Sequence, residues 1–184
     1  MHLKFKVLIN HYMQFIEVFD NTISNEDQDE VRYIISKSHF KYGITDDSNK
    51  PPSGLKSTNV PLPIIQKIVS FANSQSKNVN FSEFQVESVV VNLFISNELP
   101  YFHTDIIKGI TIVYYCNETY PFDELGETQF LIKDNNGYEY IQGVQPKSGR
   151  IVIFTGSISH RATTFRSKPR FTIAIQMSKK CESS

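Results

Sequence analysis

The character of the chain changes after Asn80, and this change most strongly constrains its fold. Before that point two segments have helical spacing. After it, β-branched and aromatic residues dominate in short runs that are typical of strands. The predicted strands cover residues 84–95, 110–116, 128–133, 137–144, 150–154 and 171–177. Helices followed by many strands predict an α+β, mainly β fold: a double-stranded β-helix (jelly roll, cupin-like) with N-terminal helices packed on one sheet.

Two helices are predicted in the first part of the chain. Ser24 followed by Glu26 and Asp27 indicates a helix start, because a hydroxyl caps free N–H groups and acids suit the positive helix end. This helix is predicted to continue to about Ser38. A second helix is predicted over 62–75, where apolar residues have helical spacing and prolines stand at the start.

Two other early segments are less specific. Residues 12–19 are mostly apolar and are compatible with either a strand or a short helix. Residues 41–59 hold several glycines, prolines and aspartates and are predicted to form a loop. A loop of that length in a compact domain is often a functional lid or a mobile segment.

Size and composition indicate a soluble globular protein. A chain of 184 residues predicts one domain, 1–184, with a helical part over about 1–80 and a jelly-roll core over about 81–180. No run approaches the roughly 18 apolar residues of a membrane span, so no membrane partner is expected. The N-terminus lacks a small-residue cleavage site, and Cys116 and Cys181 form no disulfide framework. A cytoplasmic, reducing setting is therefore predicted.

The charge is balanced overall but unevenly distributed. The formal net charge is +0, and no acidic residue lies between Glu139 and Glu182. That interval carries Lys147, Arg150, Arg161, Arg166, Lys168, Arg170, Lys179 and Lys180. Such asymmetry favours an anionic ligand near the C-terminal third, although a solvated basic face is the ordinary alternative for most of these residues.

A histidine and a carboxylate stand two residues apart in the sequence Tyr-Phe-His-Thr-Asp, at His103 and Asp105. On an extended chain such residues point to the same face, and together they make up two-thirds of the facial triad that holds non-haem Fe(II). The pair alone is a weak signal. His160 follows an apolar strand and a short Gly/Ser loop, so it is predicted to lie at a strand end as the third ligand.

Arg170 opens the last predicted strand. Alternation places Arg170, Thr172, Ala174 and Gln176 on one face, which is small and polar with one cation at its end. A barrel interior lined in this way leaves room for a dicarboxylate. Arginine binds carboxylates through paired, charge-assisted hydrogen bonds, so Arg170 is predicted to hold one of the two carboxylates.

In this order, His103-x-Asp105, His160 and Arg170 resemble the motif of the Fe(II)/2-oxoglutarate-dependent dioxygenases, in particular the prolyl 4-hydroxylase-like branch. Further matching segments extend the resemblance along the predicted core. They are the Gly-Glu-Thr-Gln-Phe of 126–130, with Leu125 in place of the family's first glycine, the Pro-x-x-Gly segment within 144–154, and the strand of 111–117, which resembles one ending Tyr-Tyr-Leu-Asn.

The resemblance implies a ligand set and a reaction. Fe(II) would be held by His103, Asp105 and His160, with 2-oxoglutarate and O2 as co-substrates, succinate and CO2 as products, and ascorbate as a candidate reductant. The implied 2-oxoglutarate contacts are Arg170, Tyr115, Thr172, Asn92 and Thr128. Loops 41–59 and 117–125 would form the walls of the substrate site, with Arg161 and Tyr120 as candidate substrate contacts.

One feature resembles another branch of this superfamily. Asn92-Leu93-Phe94 is similar to the Asn-x-Tyr of the AlkB-type dealkylases, but Phe94 lacks the hydroxyl and Gln176 stands where those enzymes have a second arginine. The first prediction is therefore hydroxylation of a protein or peptide side chain. The alternatives are oxidation of a nucleic acid or a small metabolite, and a non-catalytic, metal-binding cupin-like module. The zero net charge does not favour nucleic acid.

Overall fold

A computed structural model describes residues 3–9, 12–42, 51–98, 100–134 and 136–180. For residues 3–9, 12 and 13 it describes the backbone but not the side chains. The helices are α1 (Asn25–Ser36) and α2 (Leu62–Gln75), with short 3-10 turns at Phe81–Glu83 and Phe122–Glu124. The strands are β1 (Leu3–Ile9), β2 (Tyr12–Phe19), β3 (Lys41–Tyr42), β4 (Leu55–Ser57), β5 (Phe84–Phe94), β6 (Gly109–Tyr115), β7 (Thr128–Lys133), β8 (Glu139–Val144), β9 (Ile151–Thr155), β10 (His160–Ala162) and β11 (Arg170–Lys179).

The strands form two antiparallel sheets that face each other. The larger sheet has eight strands in the order β1-β2-β9-β6-β11-β5-β4-β3, and the smaller has three in the order β10-β7-β8. His103 extends the smaller sheet through an antiparallel bridge to His160. The six strands predicted from the sequence correspond to β5, β6, β7, β8, β9 and β11. The predicted double-stranded β-helix is confirmed.

Both predicted helices are present, and they pack on the outer face of the larger sheet. Ser24 caps α1 by accepting a 3.1 Å hydrogen bond from the Asp27 N–H. The shared core contains Val31 and Ile35 of α1, Ile64, Ile68 and Ala72 of α2, and strand residues such as Ile112, Ile153, Ile173 and Ile175. No helix within the described ranges is long and apolar enough to cross a membrane.

A second core lies between the two sheets. It contains Ile16, Val113, Tyr115, Phe130, Ile132, Val144, Val152, Phe154 and Ile158. We call the face of the larger sheet that lines this space the interior face. The alternation predicted for β11 is confirmed, because Ile173, Ile175 and Met177 pack toward the helices. Thr172 and Gln176 consequently lie on the interior face.

The segment before residue 81 also contains β1 to β4, in addition to the two helices expected there. The ambiguous segment 12–19 is strand β2. Its Phe15 and Phe19 pack toward the helices, whereas Ile16 packs between the sheets. A strand buried on both faces shows no alternation of polar and apolar residues, so periodicity alone cannot identify it.

The predicted loop 41–59 carries the short strands β3 and β4, and its residues 43–50 lie outside the described part of the chain. β4 pairs with β5 and places Lys56 opposite Asn92. Gly54 adopts a positive φ of +72°, and a Cβ there would lie 2.5 Å from the ring of Phe94. A glycine is thus required for the chain to pass so closely over the end of β5.

Candidate metal centre and co-substrate pocket

The backbone brings together the three predicted metal ligands. The His103 N–H donates to the His160 carbonyl at 3.0 Å, and the His160 N–H donates back at 2.9 Å. The Asp105 N–H donates to the Gly156 carbonyl at 2.9 Å. One ligand atom from each of His103, Asp105 and His160 lies within 4.8 Å of the others.

Gly156 allows this close approach. A Cβ at Gly156 would lie 2.3 Å from the carbonyl oxygen of Ile106, the residue that follows Asp105. Any side chain there would push the loop after β9 away from the segment that carries Asp105. The Gly/Ser loop before His160 is therefore needed to bring the third ligand close to the other two.

Both imidazoles are oriented by backbone carbonyls. Nδ1 of His103 lies 3.1 Å from the Tyr101 carbonyl, and Nδ1 of His160 lies 2.9 Å from the Ile158 carbonyl. A carbonyl oxygen can only accept, so Nδ1 of each ring carries a proton and Nε2 is the nitrogen that would bind a metal. The ring of Phe154 packs edge-on against His160 with centroids 4.6 Å apart and fixes its position.

The Nε2 atoms of the two histidines face the carboxylate of Asp105. Nε2 of His103 is 3.8 Å from Oδ1 of Asp105, and Nε2 of His160 is 3.5 Å from Oδ2. Two imidazoles and one carboxylate form the donor set of the facial triad, and the other ring N–H of a ligating histidine usually donates to a carbonyl or carboxylate. The residues therefore fit an Fe(II) ion.

Two residues that were not predicted from the sequence, Thr111 and Gln176, bind the carboxylate of Asp105. The Thr111 hydroxyl donates to Oδ2 of Asp105 at 2.6 Å, and the Gln176 amide donates to Oδ1 at 2.9 Å. Alternation placed Gln176 on the same face as Arg170, but nothing in the sequence indicated its contact with Asp105.

Arg170 lies at the other end of the interior face and is 2% exposed. Its Nε donates to the Gly126 carbonyl at 2.7 Å, and its Nη2 donates to the Thr128 hydroxyl at 2.9 Å. No acidic residue in the described part of the chain forms an ion pair with it. Burial lowers the pKa of Arg170, yet arginine stays protonated in proteins. A buried cation without a carboxylate partner favours an anionic ligand.

Three further predicted co-substrate residues surround Arg170. The Tyr115 hydroxyl donates to Thr128 at 2.7 Å, and the Tyr115 ring centroid lies 5.5 Å from the guanidinium carbon of Arg170. Burial raises the pKa of Tyr115, so its hydroxyl stays a neutral donor. Thr172 is 2% exposed and stands opposite Tyr115 on the neighbouring strand.

Asn92 stands on the other side of Thr172, in register on β5. Its Oδ1 is buried and has no hydrogen-bond partner among the residues that the structure describes. An orphaned buried acceptor is unusual and indicates that a group with a donor belongs beside it. The five predicted co-substrate residues Arg170, Tyr115, Thr172, Asn92 and Thr128 therefore line one end of the space between the sheets.

The two predicted substrate contacts lie elsewhere. Arg161 neighbours His160 but points to the opposite face of the smaller sheet, where it donates to Gln129 at 3.0 Å and lies 4.5 Å from the ring centroid of Phe102. Tyr120 lines a cavity of about 300 Å³ with Arg32 and Phe171 on the helix side of the larger sheet. The structure does not bring Tyr120 together with the metal ligands. A substrate role for either residue stays a prediction.

Comparison of the sequence with known families and curated proteins finds no match, whereas comparison of the structure with solved structures finds proteins of similar fold. No protein-family model matches the chain, and no curated protein matches it. HygX from Streptomyces hygroscopicus, solved with nickel, 2-oxoglutarate and hygromycin B, is 9% identical, with 90% of this chain and 83% of that chain covered and a TM-score of 0.67.

Two prolyl hydroxylases have the same fold. The enzyme from Trichoplax adhaerens, in complex with a hypoxia inducible factor peptide fragment, is 12% identical, with 89% of this chain and 83% of that chain covered and a TM-score of 0.65. The prolyl-4-hydroxylase of Pseudomonas putida is 12% identical, with coverages of 90% and 93% and a TM-score of 0.61. The chain thus has the fold of the Fe(II)/2-oxoglutarate oxygenases, prolyl hydroxylases among them, as the motif resemblance predicted.

Proposed function

We propose that the chain is an Fe(II)- and 2-oxoglutarate-dependent dioxygenase. One observation carries the proposal: a cluster of two imidazoles and a carboxylate shares the space between the sheets with a buried arginine that forms no ion pair with any described residue. The first group suits a divalent iron ion, and the second suits the far end of a dicarboxylate. His103, Asp105 and His160 would hold the metal, and Arg170 would bind 2-oxoglutarate.

Fe(II) bound there with 2-oxoglutarate and O2 would supply the oxidation, releasing succinate and CO2 while oxygen is transferred to the substrate. The protein positions the reactants. Arg170 binds the far carboxylate of 2-oxoglutarate, and Thr128 and Tyr115 lie beside the guanidinium as further hydrogen-bonding groups. Thr172 and Asn92 line the adjoining part of the interior face. Ala174 stands between Thr172 and Gln176 on the interior face, where its small side chain leaves room for the carbon chain of the co-substrate.

The proposed primary reaction is hydroxylation of a protein or peptide side chain. It is supported by the prolyl hydroxylases among the structural neighbours, one of which binds a peptide fragment. Oxidation of a small metabolite is the second candidate, since HygX has the same fold and binds hygromycin B. Oxidation of a nucleic acid is not favoured, because the formal net charge is +0.

Three further points belong to the proposal. The catalytic unit is a single domain over residues 1–184. Ascorbate serves as the reductant that sustains turnover. The protein works in the cytoplasm, which agrees with the buried, free thiol of Cys116.

The test is production of succinate from 2-oxoglutarate with Fe(II), O2 and ascorbate, in the presence of peptide pools, small metabolites or single-stranded nucleic acid. We expect succinate from the wild type, stimulated most by peptides, and none from His103→Ala. The matched control is His39→Ala, which changes an exposed histidine. Binding of Mn(II) and 2-oxoglutarate without succinate from any substrate pool would instead favour the non-catalytic module.

A further inference from the structure

A row of three polar residues crosses the interior face beneath Asp105. Ser88 on β5 stands opposite Gln176 on β11, and Gln176 stands opposite Thr111 on β6. We call these three residues the polar row. The next row along the same strands, Val90, Ala174 and Val113, is apolar. The polar side chains of this row require a reason, because burying unpaired polar groups is costly.

The hydrogen bonds of the polar row converge on the carboxylate. Thr111 donates to Oδ2 of Asp105 at 2.6 Å, and Gln176 donates to Oδ1 at 2.9 Å. Ser88 donates in turn to Oε1 of Gln176 at 2.8 Å. The orientation of the amide follows from its partners: an ionised carboxylate only accepts, so the NH2 end must face Asp105 and the oxygen must face Ser88.

The backbone is irregular at this level. The register between β11 and β5 shifts between Gln176 and Met177, so that Ser88 faces Gln176 while Val86 faces Met177. The extra residue in β5 is Glu87. Bulges of this kind bend a strand and redirect side chains, and they are frequent beside functional sites. Here the bulge adjoins Ser88, the residue that orients the amide.

We infer that Gln176 is a positioning residue for the metal centre, with Ser88 as its support. This inference rests on the proposed function, since it concerns the residues that would hold the iron. One donor on each oxygen fixes the plane of Asp105 relative to the two Nε2 atoms.

The test measures Mn(II) affinity in the presence of excess 2-oxoglutarate by calorimetric titration. Gln176→Met keeps the length of the side chain and removes its hydrogen bonds. We expect its Kd for Mn(II) to rise roughly 10- to 100-fold, the usual effect of losing an outer-shell partner. Ser88→Ala should raise the Kd by a smaller factor, and the double variant should be no weaker than Gln176→Met, because both changes disrupt one chain of hydrogen bonds.

The matched control is Gln85→Met, an exposed residue at the start of β5. It should bind Mn(II) like the wild type. Thermal unfolding of the metal-free proteins separates the explanations, since a purely structural role would lower the Tm of Gln176→Met and leave its Kd unchanged.

Two negative results have different meanings. If the wild type binds Mn(II) and the Kd values of Gln176→Met and Ser88→Ala stay within about twofold of it, the positioning role is overturned while the proposed function stands. If the wild type itself fails to bind Mn(II) with 2-oxoglutarate, the proposed function fails and the positioning role fails with it.

Discussion

Nη2 of Arg170 and the hydroxyl of Thr128 are joined by a 2.9 Å hydrogen bond, and the same hydroxyl accepts a 2.7 Å hydrogen bond from Tyr115. Thr128 is therefore the shared acceptor that orients the guanidinium and the phenol. Both donors are thereby held in position by another residue of the protein. Preorganised donors bind more tightly because less conformational freedom is lost on binding.

Removing that acceptor should weaken 2-oxoglutarate binding. Thr128→Val keeps the shape of the side chain but leaves Arg170 and Tyr115 without their common partner. A hydrogen bond to a charged group contributes about 1.5–3 kcal/mol, so we expect the Kd for 2-oxoglutarate with Mn(II) to rise roughly 10- to 100-fold. Thr128→Ser, which retains the hydroxyl, serves as the control in the same titration. Equal affinity of the valine and serine variants would contradict the shared-acceptor role.

Glu17 stabilises the junction between β2 and the end of α2. Its buried carboxylate accepts hydrogen bonds from the Ser76 hydroxyl, from the Lys77 N–H at 3.3 Å and from the Asn78 amide at 2.7 Å. Glu17→Ala leaves these donors unpaired and should lower the free energy of unfolding by about 3 kcal/mol. Urea unfolding measures the change. Glu30→Ala, an exposed position on α1, should have almost no effect, and an equally small change for Glu17→Ala would refute this role.

Asp20 should make the stability pH-dependent at acidic pH. The Arg150 hydrogen bond is the main cause that lowers the pKa of Asp20, and Lys147 adds to it. A lowered pKa means that the stabilisation is complete above the unfolded-state value of about 3.9 and disappears as the pH falls through the lower folded-state value. We therefore expect Asp20→Asn to be less stable than the wild type in urea at about pH 7, and we expect this difference to shrink as the pH is lowered below about 4. A difference that persists unchanged at the lower pH would show that the ion pair is not its source.

Site residues could be predicted from the sequence where the residue type indicates a specific kind of chemistry. His103, Asp105, His160 and Arg170 could be predicted because their order and strand context indicate a metal site and a carboxylate site, and the structure brings the three ligands together. Gln176 and Thr111 could not, since an amide and a hydroxyl suit almost any polar contact. Their partner is set by the register of β11 and β6.

The fold was predictable to a similar degree. The strands β5 to β9, the strand β11 and both helices were predicted from their periodicity and composition, whereas the three-residue strand β10 was not. Strand β2 is buried on both faces and could not be distinguished from a helix. Tyr120 shows what the sequence leaves open: its loop follows the end of β6 directly, and the structure places it beside a cavity on the helix side of the sheet. Sequence proximity to a site strand does not determine the face on which a loop residue lies.

The central claim is that Arg170 binds the far carboxylate of 2-oxoglutarate while His103, Asp105 and His160 hold the metal. The most direct measurement is calorimetric titration of 2-oxoglutarate into the Mn(II)-loaded protein, comparing wild type, Arg170→Leu and the exposed control Arg166→Leu. We expect Arg170→Leu to lose about 3–5 kcal/mol of co-substrate affinity, at least a hundredfold in Kd, because one carboxylate is left buried and unpaired. The control should bind like the wild type. Equal 2-oxoglutarate affinity in Arg170→Leu and the wild type would contradict the account.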